Sequence, residues 1–300
     1  MTPDDKFIIV GFSAYKSQIL KVYDRYSAEI YEFDVCPNSD INKSLPIHQS
    51  SKSPSILFSS VMAITADSRY LILPYNATGE NGMDEKSLIM IDIKERKAVH
   101  KFSNAHGDLI NCIVATPDNK YIVSASKDKS IKLFDIGTKK QAYHFQEAHS
   151  GDISSVTVAS NSKFIVSASN DLSLKIFDLE TKTQTYEFLF AHESKYGNLK
   201  KINPFIIASI VSVSVTSDCR FAASGSTDGS VKVFDLKTKQ LVYSLQNLHD
   251  SIHKVAFAPN GKYLVTRGTD GSMKLINVET IMHDGFINYN GKHCDRENLF

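Results

Sequence analysis

The sequence predicts an all-β fold assembled from repeated four-stranded antiparallel units, and three observations predict it. An apolar–aromatic–acidic ending recurs at a nearly constant interval, a turn signature recurs in phase with it, and no part of the 300-residue chain carries the apolar stripe of an amphipathic helix.

The endings are clearest at Leu133-Phe134-Asp135, Ile176-Phe177-Asp178 and Val233-Phe234-Asp235, with weaker members at Val22-Tyr23-Asp24, Met90-Ile91-Asp92 and Leu275-Ile276-Asn277. Successive last residues are 68, 43, 43, 57 and 42 apart. A base period of about 43 is that of four-stranded propeller blades. The two long intervals exceed it by 25 and 14 and mark insertions.

Each repeat begins with a turn. Thr116-Pro117-Asp118-Asn119-Lys120-Tyr121 returns as Ala258 to Tyr263 and, less closely, as Thr65 to Tyr70 and Thr216 to Phe221. Proline presets φ and Asp or Asn bonds its own backbone, so the aromatic that follows opens a strand. Asp-containing turns (Lys127 to Ser130, Asn170 to Ser173, Thr227 to Ser230, Thr269 to Ser272) then stand between alternating apolar runs and read as β-hairpins. A further strand follows each ending, such as Ala142 to Phe145. After it come Ala-His or Leu-His, at His106, His149, His192 and His249, and a largely apolar strand such as Ile110 to Ala115. This order excludes an α-solenoid and a βαβ sheet, and the period excludes leucine-rich repeats.

Composition narrows the function classes. With 34 basic against 33 acidic residues, there is no field to gather nucleic acid or an anionic membrane surface. No apolar run is long enough to span a bilayer, and the polar start, Met1 to Lys6, is no secretory signal. The cysteines, Cys36, Cys112, Cys219 and Cys294, lie far apart without a Cys-x-x-Cys pair, which suits a reducing compartment. An intracellular, cytoplasmic protein that inserts in no membrane is expected. No Gly-x-Ser-x-Gly, phosphate-binding loop or His-Glu-x-x-His motif is present, and no cofactor, metal or small-molecule substrate is expected.

These residues resemble the WD-repeat (WD40) family over about Phe7 to Val278. The resemblance implies a WD40-type β-propeller in which a histidine before each innermost strand bonds the Asp of the next hairpin turn. The matching structural pairs are His106 with Asp128, His149 with Asp171, His192 with Asp228, and His249 with Asp270, separated by 22, 22, 36 and 21 residues. The chain departs from the family in having no tryptophan. Phe134, Phe177, Phe234 and Ile276 take its place, so each blade forgoes one buried hydrogen bond, worth about 1 kcal/mol net.

Six blade units are visible, with central hairpins starting at Phe7, Tyr70, Tyr121, Phe164, Phe221 and Tyr263, and the first is incomplete. A closed six-bladed ring and a piece of an array of seven or more blades both fit; Met1 falling inside a repeat favours the piece. One propeller domain over 1–289 is expected, with insertions at 34–54, 76–86 and 193–209, followed by a flexible tail over 290–300.

The resemblance places the His-bearing loops and the Asp hairpins on one face, where a propeller carries binding residues. The 193–209 insertion offers Lys195, Tyr196, Lys200, Lys201 and Phe205, and the shared face adds Asp108, Lys127, Lys129, Asp152, Asn170, Asp250 and His253. The function implied is a non-catalytic scaffold that binds other proteins or peptides, with no direct nucleic-acid contact. Two alternatives differ in class. One is the propeller portion of a larger protein whose activity lies elsewhere; the other is a propeller hydrolase. The hydrolase needs a unique cluster of acids or histidines, whereas these recur once per blade.

Overall fold

A computed structural model describes residues 7–14, 17–24, 30–34, 61–78, 84–189, 191–192 and 208–278. All but Asp34 of the expected 34–54 insertion, most of the expected 193–209 insertion (193–207) and the tail over 290–300 lie outside the described residues. Two compact units divide the chain, Met1–Ala148 and His149–Phe300.

The first unit holds a three-stranded sheet, β1 (Phe7–Ala14), β2 (Ser17–Asp24) and β3 (Ile30–Asp34). Two four-stranded sheets follow: β4 (Ala63–Ile64), β5 (Tyr70–Thr78), β6 (Asp84–Asp92) and β7 (Lys97–His106), then β8 (Ile110–Ala115), β9 (Tyr121–Ser126), β10 (Ile131–Asp135) and β11 (Lys140–Phe145). In the second unit come β12 (Ile153–Val158), β13 (Phe164–Ser169), β14 (Leu174–Asp178) and β15 (Gln184–Phe188), then β16 (Ile210–Val215), β17 (Phe221–Ser226), β18 (Val231–Asp235) and β19 (Gln240–Leu245). A three-stranded sheet closes that series, β20 (Ile252–Phe257), β21 (Tyr263–Gly268) and β22 (Met273–Asn277). Within each sheet every strand pairs antiparallel with its neighbour in sequence, so each sheet is one blade. The insertion of the second blade lengthens its hairpin, because β5 and β6 keep pairing out to Thr78 opposite Asp84.

Local chemistry sets where strands start. Thr116 Oγ1 donates to Asp118 Oδ1 at 2.5 Å and accepts the Tyr121 N–H at 2.9 Å. Asn119 takes the left-handed conformation that closes the turn, φ 58°, which Asn tolerates better than most residues. The same bonds recur from Thr65 and Thr216. In β9, β13 and β17 every residue after the opening aromatic is buried, whereas the outer strand β11 is mostly exposed.

Neighbouring blades pack face to face. Ile110, Ile113, Ile122 and Phe134 meet Ile72, Leu88, Met90 and Phe102, with the Phe102 and Phe134 rings 4.8 Å apart. In the second unit the same positions, Ile210, Val213, Ala222 and Phe234, meet Val166, Leu174, Ile176 and Phe188. The Phe188 and Phe234 rings are 4.7 Å apart. A buried aliphatic or aromatic side chain contributes about 1.5–3 kcal/mol. The phenylalanine in the tryptophan's place is thus an inter-blade contact, and its packing survives the missing N–H.

Inner strands are also stitched by serine. Ser155 Oγ accepts Val213 N–H at 3.3 Å, and Ser212 Oγ accepts Val255 N–H at 3.2 Å. Ser214 Oγ accepts Phe257 N–H at 3.0 Å. Inner strands have no lateral strand partner on that side, so a short hydroxyl satisfies the backbone of the next blade.

Two turn glycines separate strain from crowding. Gly229 and Gly271 hold the same hairpin position with φ 79° in both. A Cβ on Gly229 would lie 1.9 Å from the His249 carbonyl oxygen, while one on Gly271 meets nothing within 4 Å. Gly271→Ala is expected to cost about 1–2 kcal/mol in urea unfolding, the left-handed penalty alone. Gly229→Ala is expected to cost clearly more; equal costs would contradict the crowding assigned to that turn.

Candidate interaction face and the network beneath it

Four imidazoles stand at corresponding positions, one in each of four blades, with side chains fully buried. With its proton on Nδ1, His106 donates to Asp128 Oδ2 at 2.9 Å, and its Nε2 accepts the Ser124 hydroxyl at 2.7 Å. His149 likewise reaches Asp171 Oδ2 at 3.0 Å and Ser167 Oγ at 2.7 Å. The carboxylates are held from the other side by the turn: Ser130 Oγ and N–H donate to Asp128 Oδ1 at 2.6 and 2.9 Å. Gly107 N–H donates to Asp128 Oδ2, and Ser150 N–H to Asp171 Oδ2. One carboxylate therefore joins the histidine loop to the hairpin turn in each of these two blades.

The other two pairs are looser. His192 Nδ1 lies 3.7 Å from Asp228 and His249 Nδ1 lies 3.8 Å from Asp270. A serine hydroxyl bridges instead: Ser230 Oγ sits 2.7 Å from His192 and 2.5 Å from Asp228 Oδ1, and Ser272 Oγ sits 2.9 Å from His249 and 2.8 Å from Asp270 Oδ1. In the first three of the four blades a serine two residues before the Asp (Ser126, Ser169, Ser226) accepts the Asp N–H. Gly268 stands at that position in the last blade, and its missing Cβ leaves room for the His249 ring. The Asp270 side chain is accordingly 42% exposed, against 18% for Asp128 and 6% for Asp228.

These contacts set the charges. Burial alone would raise Asp128; the bonds from His106 and Ser130 outweigh it and hold the carboxyl well below the usual range. Asp171 behaves alike, through burial opposed by His149 and Ser173. Burial opposed by His192 and Ser230 brings Asp228 down to about 2. Burial also pushes His106, His192 and His249 below the ordinary imidazole value.

Above this network the hairpin tips and histidine loops present the candidate contacts, except His253, which lies in β20. Asp108, Lys127, Lys129, Asn170, Asp250 and His253 are exposed and Asp152 is half-buried. Backbone bonds hold the tips to the loops, Lys127 N–H to Leu109 O and Asn170 N–H to Asp152 O, both at 2.9 Å. Asp108 and Lys127 are thereby brought together in the first unit, and Asp152 and Asn170 in the second. Lys195, Tyr196, Lys200, Lys201 and Phe205 lie outside the described residues. Sequence reasoning missed the network's hydroxyls, Ser124, Ser167, Ser224 and Thr266, although each stands four residues before its blade's Asp. That column of small hydroxyls was the available signal.

The family model for the WD domain, G-beta repeat, matches residues 96–135 and 140–178, and that for the anaphase-promoting complex subunit 4 WD40 domain matches residues 214–284. The chain belongs to the WD-repeat family. It is 33% identical over 83 residues to WD repeat-containing protein SL1-17 of Schistosoma mansoni, covering 28% of each chain. To pre-mRNA-processing factor 19 of Dictyostelium discoideum it is 36% identical over 67 residues, 22% of this chain and 13% of that one. To the small ribosomal subunit protein RACK1 of Neurospora crassa it is 34% identical over 70 residues, 23% of this chain and 22% of that one. Each matched stretch is less than a third of the relative's length.

The network makes stability sensitive to acid. Because His106, His192 and His249 are held below the ordinary 6.5, the unfolded chain takes up protons below pH 6.5 that the folded chain refuses. Stability present above that pH is lost as pH falls. The depressed carboxyls add a second loss below their ordinary 3.8, extending toward pH 2 for Asp228. The urea midpoint is expected to fall steadily below pH 6.5; a midpoint constant from pH 7.5 to 5 would contradict neutral buried imidazoles.

Proposed function

We propose that this chain is a non-catalytic platform that binds other proteins or peptides through the blade-end face described above. The observation that carries the reading is the division of labour at each blade end. The imidazoles, the groups suited to acid–base chemistry, are buried with carboxylate and hydroxyl partners. The side chains offered to solvent just above them differ from blade to blade: Asp108, Lys127 and Lys129 in one, Asp152 and Asn170 in the next. A rigid frame with a varied rim suits recognition.

The reading extends to peptides or proteins as partners, a cytoplasmic location, no direct nucleic-acid contact and no cofactor. Lys195, Tyr196, Lys200, Lys201 and Phe205 are further candidate contacts on the strength of the sequence. No helix among the described residues is long and apolar enough to cross a membrane. Two of the relatives bear names of a pre-mRNA-processing factor and a small ribosomal subunit protein; membership of a multi-protein assembly is proposed for this chain too, and its activity within a larger protein is a compatible second form.

Affinity capture from native lysate, read by mass spectrometry, tests the platform. Two alanine triples are compared with the unaltered chain, Asp108/Lys127/Lys129 and Lys195/Tyr196/Phe205. Loss of a captured protein by about tenfold or more in either triple, with unchanged thermal unfolding, is expected. Equal capture by all three proteins would remove this face from the account.

A further inference from the structure

The last blade is built for a different neighbour. In the second unit, the side of each blade that meets the following blade shows two rows of register-paired side chains. In the β12–β15 blade these are Ser155, Ala168 and Leu174, then Thr157, Val166 and Ile176. In the β16–β19 blade they are Ser212, Gly225 and Val231, then Ser214, Ala223 and Val233. Small residues fill the inner positions because the next inner strand lies directly on them: a Cβ on Gly225 would come within 2.5 Å of Ile252 and 2.7 Å of Val255.

In the last blade the same rows read Lys254, Arg267 and Met273, then Ala256, Val265 and Leu275. Two cations face each other where Ser and Gly or Ala stand elsewhere. Met273 and Leu275 are 69% and 63% exposed, whereas Val231 and Val233 are buried. Among the described residues neither cation has a carboxylate partner. Register-paired residues share one sheet face, so the basic pair lies beside an apolar strip of Val265, Met273 and Leu275. An inner strand bearing Ile and Val, the cover used by the other blades, would set apolar side chains on Lys254 and Arg267 and strand both charges.

We propose that this face of the last blade binds a segment of a partner protein that presents carboxylates beside apolar side chains, the carboxylates on Lys254 and Arg267 and the apolar groups on Val265, Met273 and Leu275. The proposal rests on the platform reading and adds a second surface with a defined chemistry. Both cations are exposed, so reversing them leaves the fold intact.

The test uses the full chain and fluorescein-labelled dodecapeptides of leucine with glutamate, with glutamine, or with lysine, followed by fluorescence anisotropy. The glutamate peptide is expected to bind about tenfold or more tightly than the glutamine peptide. Lys254→Glu/Arg267→Glu is expected to lose that preference and take the lysine peptide, with unchanged thermal unfolding. Equal affinity for all three peptides, or no binding, overturns the site. Hydroxyl-radical oxidation of Met273 reads the alternatives. Protection in the isolated, dilute chain means that the chain's own residues cover the face, and protection that grows with concentration means a second copy does; either overturns the proposal. A chain that captures partners through the blade-end face yet fails here refutes this site alone, whereas failure of both experiments refutes the platform as well.

Discussion

Much of the described structure turns on one contact, the buried imidazole between the loop before an inner strand and the hairpin turn of the same blade. A sheet of four short strands has no helix to brace it, and its turns would otherwise be held only by their own hydrogen bonds. His106, the last residue of β7, reaches Ser124 in mid-strand and Asp128 at the tip, so the end of one strand, the middle of another and a turn share one rigid group. The cost of burying a ring with two polar nitrogens is offset because both are satisfied. At His249, where the satisfaction is indirect, the carboxylate is 42% exposed, whereas Asp228, also reached indirectly, stays buried. The same arrangement thus appears in a tight and a loose form along one chain.

Packing between blades follows a second constraint, the space left by the inner strands. Serine, alanine and glycine on one blade admit isoleucine and valine from the next, and the serines return hydrogen bonds to the backbone that the approach exposes. Phenylalanine in the tryptophan position fits this scheme, since Phe134 and Phe234 spend their rings on Phe102 and Phe188 across the junction. The last blade breaks the pattern at the positions that would receive a neighbour, and that break marks a change of partner better than any motif does.

Most of the blade pattern was legible in the sequence because the determinants are local and repeat in phase. The aromatics at Phe7, Tyr70, Tyr121, Phe164, Phe221 and Tyr263 all open strands, and for the last five an Asp or Asn turn dictates where pairing restarts. The bridging role of Ser230 and Ser272 was not legible: His, Asp and Ser stand at the same positions in all four blades, whether the carboxylate lies 2.9 or 3.8 Å from the imidazole. The exposed grid on the last blade was equally hidden. Lys254 and Arg267 are 13 residues apart in the chain, and only strand register sets them side by side.

Within each blade the network fixes the hairpin tip against the loop beneath it, while the side chains exposed there differ from blade to blade. Recognition on such a frame needs little ordering on binding, which favours affinity. The central claim is that the imidazole–carboxylate contact, rather than either side chain alone, holds the tip. Double-mutant cycles on urea stability test it most directly, with alanine at His106 and Asp128 and, separately, at His249 and Asp270. A coupling on the order of 1–3 kcal/mol is expected for the first pair, and a clearly smaller one for the second, whose atoms stand 3.8 Å apart. Additive losses at His106 and Asp128 would contradict the account.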